Sequence, residues 1–193
     1  MEYYPSRVWT LGLHIQISGF LFIYSLGVFN TTSKNVSADL GWDDNETFFI
    51  TFFSSIVAFG LFLGTLVSGK MMNYYGKRKS IMIADVIVIV SSILAITPFT
   101  ITFGIGRLGS GFASGIFLPV SAIFVNEISP KELVSKLGPF INVIVDVGII
   151  ISYFFGLLLP TSDYNSNWLN NWWKFVFFFP ALLALHQDRK SVV

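Results

Sequence analysis

Long apolar segments alternate with short polar segments along the chain. The first five apolar segments approach the roughly 20 residues that a helix needs to cross the hydrocarbon core of a bilayer, and the sixth has only about 14. Because backbone polar groups in lipid must be satisfied within the segment, and because the sequence lacks the alternating pattern of barrel strands, all six are predicted as helices. The predicted spans are Val8–Phe29, Phe48–Ser68, Ser80–Pro98, Ile101–Val125, Leu137–Leu159 and Trp172–Leu185.

Composition indicates an all-α integral membrane protein. Only 12% of the 193 residues are charged and the mean hydropathy is +0.69, whereas a soluble domain usually carries about 25% charged residues. The net charge of +1 argues against a nucleic-acid partner. Since the chain has no cysteine, no histidine pair at ligand spacing and no catalytic motif, we expect neither a metal, nor a cofactor, nor enzymatic activity.

The distribution of Lys and Arg predicts how the spans are oriented. Basic residues concentrate in segments 69–80 and 126–136 and in the C-terminal tail, whereas segment 30–47 carries one Lys against four acidic residues. By the positive-inside rule, both termini and the two basic segments are predicted to be cytosolic. Segment 30–47 is then an outer loop, and the plasma membrane or an endomembrane is the expected location.

The predicted outer loop carries three Asn-x-Ser/Thr triplets, which accept N-glycosylation only on the lumenal or extracellular side. The charge distribution places them on that side independently. The alternative is chance, since the triplet is short and common, and the first acceptor is expected to lie too close to the bilayer. The candidate acceptors are Asn30, Asn35 and Asn45.

Small residues recur inside two of the spans. Gly60 and Gly64 lie in the second span, and a further glycine series that includes Gly111 and Gly115 lies in the fourth. Small residues allow transmembrane helices to approach closely, so these glycines are predicted to be packing positions.

Several motifs occur in order along nearly the whole chain. The first span contains Gly19-Phe-Leu-Phe-Ile-Tyr-Ser-Leu-Gly-Val-Phe-Asn30, and the fourth runs from Gly106-Arg107 to Glu127-Ile-Ser-Pro130. The sixth contains Trp173-Lys174 and Pro180-Ala-Leu-Leu183. On these motifs the chain resembles the sugar porter family of the major facilitator superfamily, especially its glucose facilitators. The family's loop pattern G-x-x-x-(D/N)-x-x-G-(R/K)-R is matched by Gly69, Asn73, Gly76, Lys77 and Arg78.

The resemblance implies a twelve-helix transporter, built of two six-helix halves, that moves a hexose or related polyol by alternating access. Residues 1–185 resemble the N-terminal half, and residues 186–193 are expected to be a truncated or divergent cytosolic tail. Such transporters hold the substrate between two repeats, so the expected partners are the sugar, the bilayer and a second half or second copy. The rival interpretation is a non-transporting half that assembles with a full-length porter, or a pseudogene product.

The resemblance also implies an inner gate. Lys77 or Arg78 would pair with Glu127 at the cytosolic ends of neighbouring helices, and the pair would break when the transporter opens inward. The alternative is that the basic residues only fix topology. The other members of the predicted gating motif are Gly69, Asn73, Gly76 and Pro130.

Arg107 falls inside an apolar span, where a charge is costly and normally faces a cavity or a partner. In proton-coupled relatives an aspartate of the first helix pairs with this arginine, and the matching position here is Ser25. Because serine does not titrate in the useful range, the resemblance favours facilitative transport over proton symport, with Arg107 tuning the cavity. Ser25 and Arg107 are therefore predicted to belong to the substrate-binding residues.

Asn142 and Asp146 lie four residues apart in the fifth span and therefore share a helix face. Asn142 stands where the family has a sugar-contacting glutamine, and both side chains can hydrogen-bond to sugar hydroxyls. Asp146, expected to be buried in the span, could instead carry a proton in a symporter, or be a neutral hydrogen-bonded acid without a transport role. Asp85, near the cytosolic end of the third span, is expected to be solvated or paired with the loop motif.

Overall fold

The structure is a computed structural model that describes residues 5–42, 45–128, 131–159 and 172–191. These residues form six helices and no strand, which confirms the all-α class. The helices are α1 (Pro5–Leu40), α2 (Glu46–Tyr75), α3 (Lys77–Ala95), α4 (Thr100–Ile128), α5 (Lys131–Leu157) and α6 (Trp172–Ser191).

The first and last helices extend beyond their predicted spans. α1 continues to Leu40, so most of the predicted outer loop 30–47 is helical, and Asn30 and Asn35 lie on that helix. The extension is stabilised by burial of Val36 and Trp42 in an aromatic cluster with residues of α2 and α4. A solvated loop would not gain these contacts, and packing of this kind supplies most helix stability in proteins. α6 likewise continues without a break through the boundary expected at residue 185.

The predicted loop 69–80 is helical except for one residue. α2 ends at Tyr75, α3 begins at Lys77, and Gly76 between them has a φ of +80°, a left-handed conformation that L side chains disfavour. The Gly76 N–H donates to the carbonyl of Met72, and the Ser80 hydroxyl donates to the carbonyl of Gly76. The predicted loop 69–80 was therefore too long, because Gly76 alone connects α2 to α3.

Four of the described helical segments are long and apolar enough to cross a membrane: Ile15–Leu40, Glu46–Tyr75, Thr100–Glu127 and Gly138–Leu157. α3 begins with Lys-Arg-Lys and α6 ends in Gln-Asp-Arg-Lys-Ser, and the charged residues of these segments lower the hydropathy of the two helices. In the most apolar stretch of each helix, 56% of the residues of α1 and 50% of those of α4 are buried, against 22% for α2 and 11% for α5. α1 and α4 therefore form the centre of the bundle, and α2 and α5 lie at its margins.

α2 and α4 pack with their backbones almost in contact. A Cβ atom at Gly60 or Gly64 would overlap backbone atoms of α4, and one at Gly111 or Gly115 would overlap backbone atoms of α2. Such close approach increases the dispersion contacts that hold transmembrane helices together in lipid. The prediction that these glycines are packing positions is confirmed.

A proline in α6 is compensated by a side chain of α1. Pro180 has no N–H, so the carbonyl of Val176 loses its helical donor. The hydroxyl of Tyr24, which is fully buried, donates to that carbonyl over 2.9 Å. Because water is not present in the hydrocarbon region, this interhelical bond replaces the missing backbone bond.

A proline in α4 is compensated in a similar way. Pro119 frees the carbonyl of Gly115, and the hydroxyl of Thr65 on α2 lies 3.3 Å from it. The same hydroxyl also donates to the carbonyl of Leu61 at 2.9 Å, so its hydrogen is shared between two acceptors. The α2–α4 contact therefore combines close backbone packing with a polar contact at the proline.

Candidate functional site

Arg107 is held in the interior of the bundle, where its side chain is 3% exposed. Its Nη1 donates to the backbone carbonyl of Ser25 over 2.9 Å. The guanidinium carbon lies 4.7 Å from the centre of the Phe29 ring and 5.8 Å from that of Phe177, so both rings offer a cation–π contact. A residue of α4 thus contacts α1 and α6 through a single charged group.

Ser25, the position at which proton-coupled relatives carry an aspartate, does contact Arg107, but the contact is made by the Ser25 backbone and not by its side chain. The Ser25 hydroxyl donates to the carbonyl of Leu21 at 2.9 Å, one turn earlier on α1. The contact with the guanidinium is made by the Ser25 carbonyl instead. The ion pairs found among the described residues do not include Arg107.

A small cavity of about 20 Å³ lies beside Arg107, where α1, α3, α4 and α6 meet. This volume is enough for one water-sized particle. The Nε atom of Arg107 is buried and has no hydrogen-bond partner within the described part of the chain. The hydroxyl-bearing residues of the lining are Ser25, Ser91, Ser92 and Ser110.

The structure does not bring the other two predicted substrate residues to this cavity. Asn142 and Asp146 lie one turn apart on α5, and both are exposed, whereas Ser25 and Arg107 are buried between α1 and α4. The expectation that Asp146 is buried is wrong for this chain. α5 packs chiefly on α1, and only 11% of the residues in the most apolar stretch of Gly138–Leu157 are buried.

Asp85 is fully buried on α3, so the expectation that it is solvated is wrong. The reason is that α3 packs against both α4 and α6, so the face that carries Asp85 is covered. The alternative, pairing with the loop motif, stays a prediction. The nearby serine at the start of the same helix, Ser80, is also fully buried.

Lys77 and Glu127 form an ion pair that joins the start of α3 to the end of α4. The pairing anticipated for this motif is therefore present in the structure, whereas its role as a gate stays a prediction. The two side chains are 25% and 56% exposed, so water screens the pair.

The other described residues of the gating motif lie at the end of α2 and the start of α3. Gly69 and Asn73 lie on the last turns of α2, where a Cβ atom on Gly69 would meet open space and Asn73 is exposed. Arg78 is exposed on the first turn of α3. Pro130 lies outside the described residues. The motif therefore occupies the α2–α3 connection and does not pack into the core.

A second ion pair ties the opposite end of the bundle. Lys174 Nζ lies 3.3 Å from Asp39 Oδ2 and joins the start of α6 to the end of α1, and it also lies 5.3 Å from the centre of the Trp173 ring. Sequence reasoning missed this pair. Its signal was available, because Asp39 falls in the predicted outer loop 30–47 and Lys174 falls at the predicted outer end of the sixth span.

The candidate glycosylation sites lie near this second end. Asn30 is exposed and Asn35 is partly buried on α1, and Asn45 is exposed directly before α2. Glycosylation of these residues stays a prediction. No group of three or more His, Cys, Asp or Glu among the described residues could hold a metal ion.

Sequence comparison matches the chain to known transporters. The family described as "Sugar (and other) transporter" matches residues 11–187. Probable plastidic glucose transporter 2 of Arabidopsis thaliana is 30% identical over 174 residues, which cover 88% of this chain and 34% of that protein. Hexose transporter 1 of Plasmodium vivax is 24% identical, with 88% of this chain and 36% of that protein covered. The chain thus spans about a third of the length of these relatives.

Structure comparison finds the same fold in a transporter of known structure. The proton:xylose symporter XylE of the major facilitator superfamily, bound to 6-bromo-6-deoxy-D-glucose, superposes with a TM-score of 0.87 at 20% identity, over 98% of this chain and 45% of that one. The inward-open form of XylE from E. coli gives a TM-score of 0.85 at 20% identity, over 96% and 48%. At this identity the likeness concerns the fold. The chain spans about half the length of these structures.

Proposed function

Because the chain belongs to the sugar transporter family, in which it corresponds to the N-terminal six-helix half, we propose that it takes part in facilitative transport of a hexose or related polyol. The protein is an integral membrane protein. In the proposal the sugar is held between this half and a second one and crosses by alternating access. The names of the relatives, a glucose and a hexose transporter, support this substrate class. The plasma membrane is the proposed location, with an endomembrane as the alternative.

The observation that carries the proposal is the polar pair on α5. Asn142 and Asp146 are exposed in the middle of an apolar span, and polar side chains that face hydrocarbon are costly. We therefore expect this strip of α5 to face a second half and the sugar pathway, not lipid. There Asn142 can donate and accept hydrogen bonds with sugar hydroxyls, and the carboxylate of Asp146 can accept them.

The Lys77–Glu127 pair is the proposed inner gate. It connects the ends of two different helices, and its partial exposure keeps its strength in the range of about 0–1 kcal/mol. A weak pair suits a contact that must break in every transport cycle, because a strongly stabilised one would trap a single state.

Ser25 and Asp146 bear differently on the mode of transport. Arg107 contacts the carbonyl of Ser25, and a carboxylate does not stand at that position, which supports facilitative transport. The exposed carboxylate of Asp146 supports the rival, a proton symporter.

Uptake of labelled glucose tests the proposal in cells that lack hexose uptake. The chain is expressed alone and together with a separately encoded C-terminal half of a sugar porter. We expect uptake in the combined cells, a several-fold loss with Asn142→Ala and partial retention with Asn142→Gln. Val143→Ala, at an exposed apolar neighbour, is the matched control and should transport normally. Absence of uptake in both cell types, with the chain present in the membrane, would favour the non-transporting assembly partner.

An inward proton gradient separates the two modes. A facilitator should take up glucose at the same rate with and without the gradient, and Asp146→Asn should not change this. A symporter should accelerate with the gradient, and Asp146→Asn should abolish the acceleration because the amide cannot carry the proton.

A further inference from the structure

The charge of Arg107 lacks a counter-charge among the described residues. Its side chain is 3% exposed, and the ion pairs of the described residues join Lys77 to Glu127 and Lys174 to Asp39. One backbone carbonyl and two aromatic rings contact the guanidinium, but none of them carries a full negative charge. A buried cation without a paired anion is destabilising in a membrane span.

The cavity next to this guanidinium has the size and the polarity of a site for a single small ion. Its volume of about 20 Å³ exceeds the 10–15 Å³ that one water molecule requires. The buried Nε atom of Arg107 has no partner within the described part of the chain. Two serines of α3, Ser91 and Ser92, line the cavity opposite α4 and can supply hydroxyl donors.

We propose that this cavity binds a monovalent inorganic anion, with chloride as the occupant, which neutralises Arg107. A guanidinium offers only donors, and serine hydroxyls can rotate to donate, so the lining matches an anion and not a cation. A water molecule in the cavity could accept a hydrogen bond from Nε but would leave the charge uncompensated. Chloride accepts the same bonds and neutralises the charge, and it is a monatomic ion, larger than water but far smaller than gluconate.

The cavity does not include the polar pair of α5 on which the proposed sugar pathway rests. The cavity is lined by residues of α1, α3, α4 and α6, whereas Asn142 and Asp146 lie on α5. Chloride binding would therefore be detectable even if the chain transports no sugar. Its expected effect is on the stability of the four-helix junction, because an ion that binds only the folded state stabilises it by mass action.

Thermal unfolding of the purified chain in lipid nanodiscs tests the proposal, with sodium chloride compared with sodium gluconate at equal ionic strength. Gluconate is too large for the cavity. At ten times its dissociation constant, chloride should raise the Tm by about 3–6 °C, and the response should saturate. Bromide should act as chloride does.

Variants distinguish site binding from a general effect of salt. Arg107→Leu should lose the chloride response, and Ser25→Asp, which places a carboxylate at the cavity, should be as stable in gluconate as the wild type is in chloride. Lys34→Gln removes an exposed cation and should keep the full response.

Equal Tm values for the wild type in chloride and gluconate would overturn the proposal, as would a chloride response that survives in Arg107→Leu. If Arg107→Leu does not fold, Ser25→Asp and an anomalous-scattering peak from bromide beside Arg107 decide the question. A response that persists unchanged in Ser25→Asp, or the absence of that peak in bromide-soaked crystals, would also contradict the proposal.

Discussion

Removal of the Tyr24 hydroxyl should destabilise the bundle through the backbone of α6. Pro180 leaves the Val176 carbonyl without its helical donor, and the Tyr24 hydroxyl is the group that bonds to it, at 2.9 Å. Tyr24→Phe keeps the aromatic ring, which stacks on Phe20 with centroids 5.6 Å apart, and removes only the donor. The substitution therefore isolates one hydrogen bond between α1 and α6.

The expected loss in the free energy of unfolding is about 1–3 kcal/mol. Interhelical hydrogen bonds in membrane proteins average only about 0.6 kcal/mol, because the acceptor commonly keeps another partner. Here the proline has removed the alternative donor, so the buried carbonyl of Val176 would be left unsatisfied, and that penalty is about 1–3 kcal/mol. Tyr24→Phe is therefore expected to cost more than the loss of an average interhelical hydrogen bond.

A double-mutant cycle with Pro180→Ala tests whether the cost of Tyr24→Phe depends on the proline. Alanine restores an N–H that can bond to Val176, so Tyr24→Phe should cost less than about 1 kcal/mol in the Pro180→Ala background. Unfolding is followed by tryptophan fluorescence as denaturing detergent is added to the purified chain in mixed micelles. Tyr153→Phe, at a half-exposed tyrosine of α5, is the control and should be nearly neutral.

The reasoning is refuted if Tyr24→Phe costs the same in both backgrounds, because the hydroxyl would then not compensate the proline. A cost no greater than that of Tyr153→Phe would refute it as well.

Three other predictions concern packing and the two ends of the bundle. Gly64→Ala should lower the free energy of unfolding by about 1–3 kcal/mol because the methyl overlaps α4, whereas Gly69→Ala, which meets open space, should raise it by about 0.5–1 kcal/mol. Equal values in chemical denaturation would contradict this. Lys77→Glu should lower glucose uptake, and adding Glu127→Lys should restore it; a double variant as slow as the single one would argue against gating by charge pairing. Lys174→Gln should cost at most about 1 kcal/mol in the same denaturation assay, because its ion pair is partly exposed, and a larger loss would mean that the pair is shielded from solvent.

The helical class and the family could be inferred from the sequence because both depend on local information. The length of the apolar segments identifies helices, and the motifs from Gly19 to Leu183 identify the family whose match covers residues 11–187. The helix ends were less predictable. The extension of α1 to Leu40 depends on the burial of Val36 and Trp42 by residues of other helices, and a local pattern does not contain those partners.

The burial of individual carboxylates also depended on neighbours. Asp85 and Asp146 both occur in apolar spans, yet the first is fully buried and the second is exposed. α3 is covered by two helices, whereas one face of α5 has no neighbour among the residues that the structure describes. A hydropathy pattern reports that a residue lies in a span and does not report which of its faces another helix covers.

From the chain alone follow the helical class, the absence of cysteine, and the likeness to sugar porters, since these need only residue types and their spacing. Only the packed bundle places Arg107 beside a serine-lined cavity. Only the packed bundle brings the Tyr24 hydroxyl to the Val176 carbonyl, which Pro180 leaves without its helical donor. The two residues of that hydrogen bond are 152 positions apart in sequence. Whether such groups meet is set by how the helices pack in three dimensions, because helix packing brings together donors and acceptors that no local periodicity relates.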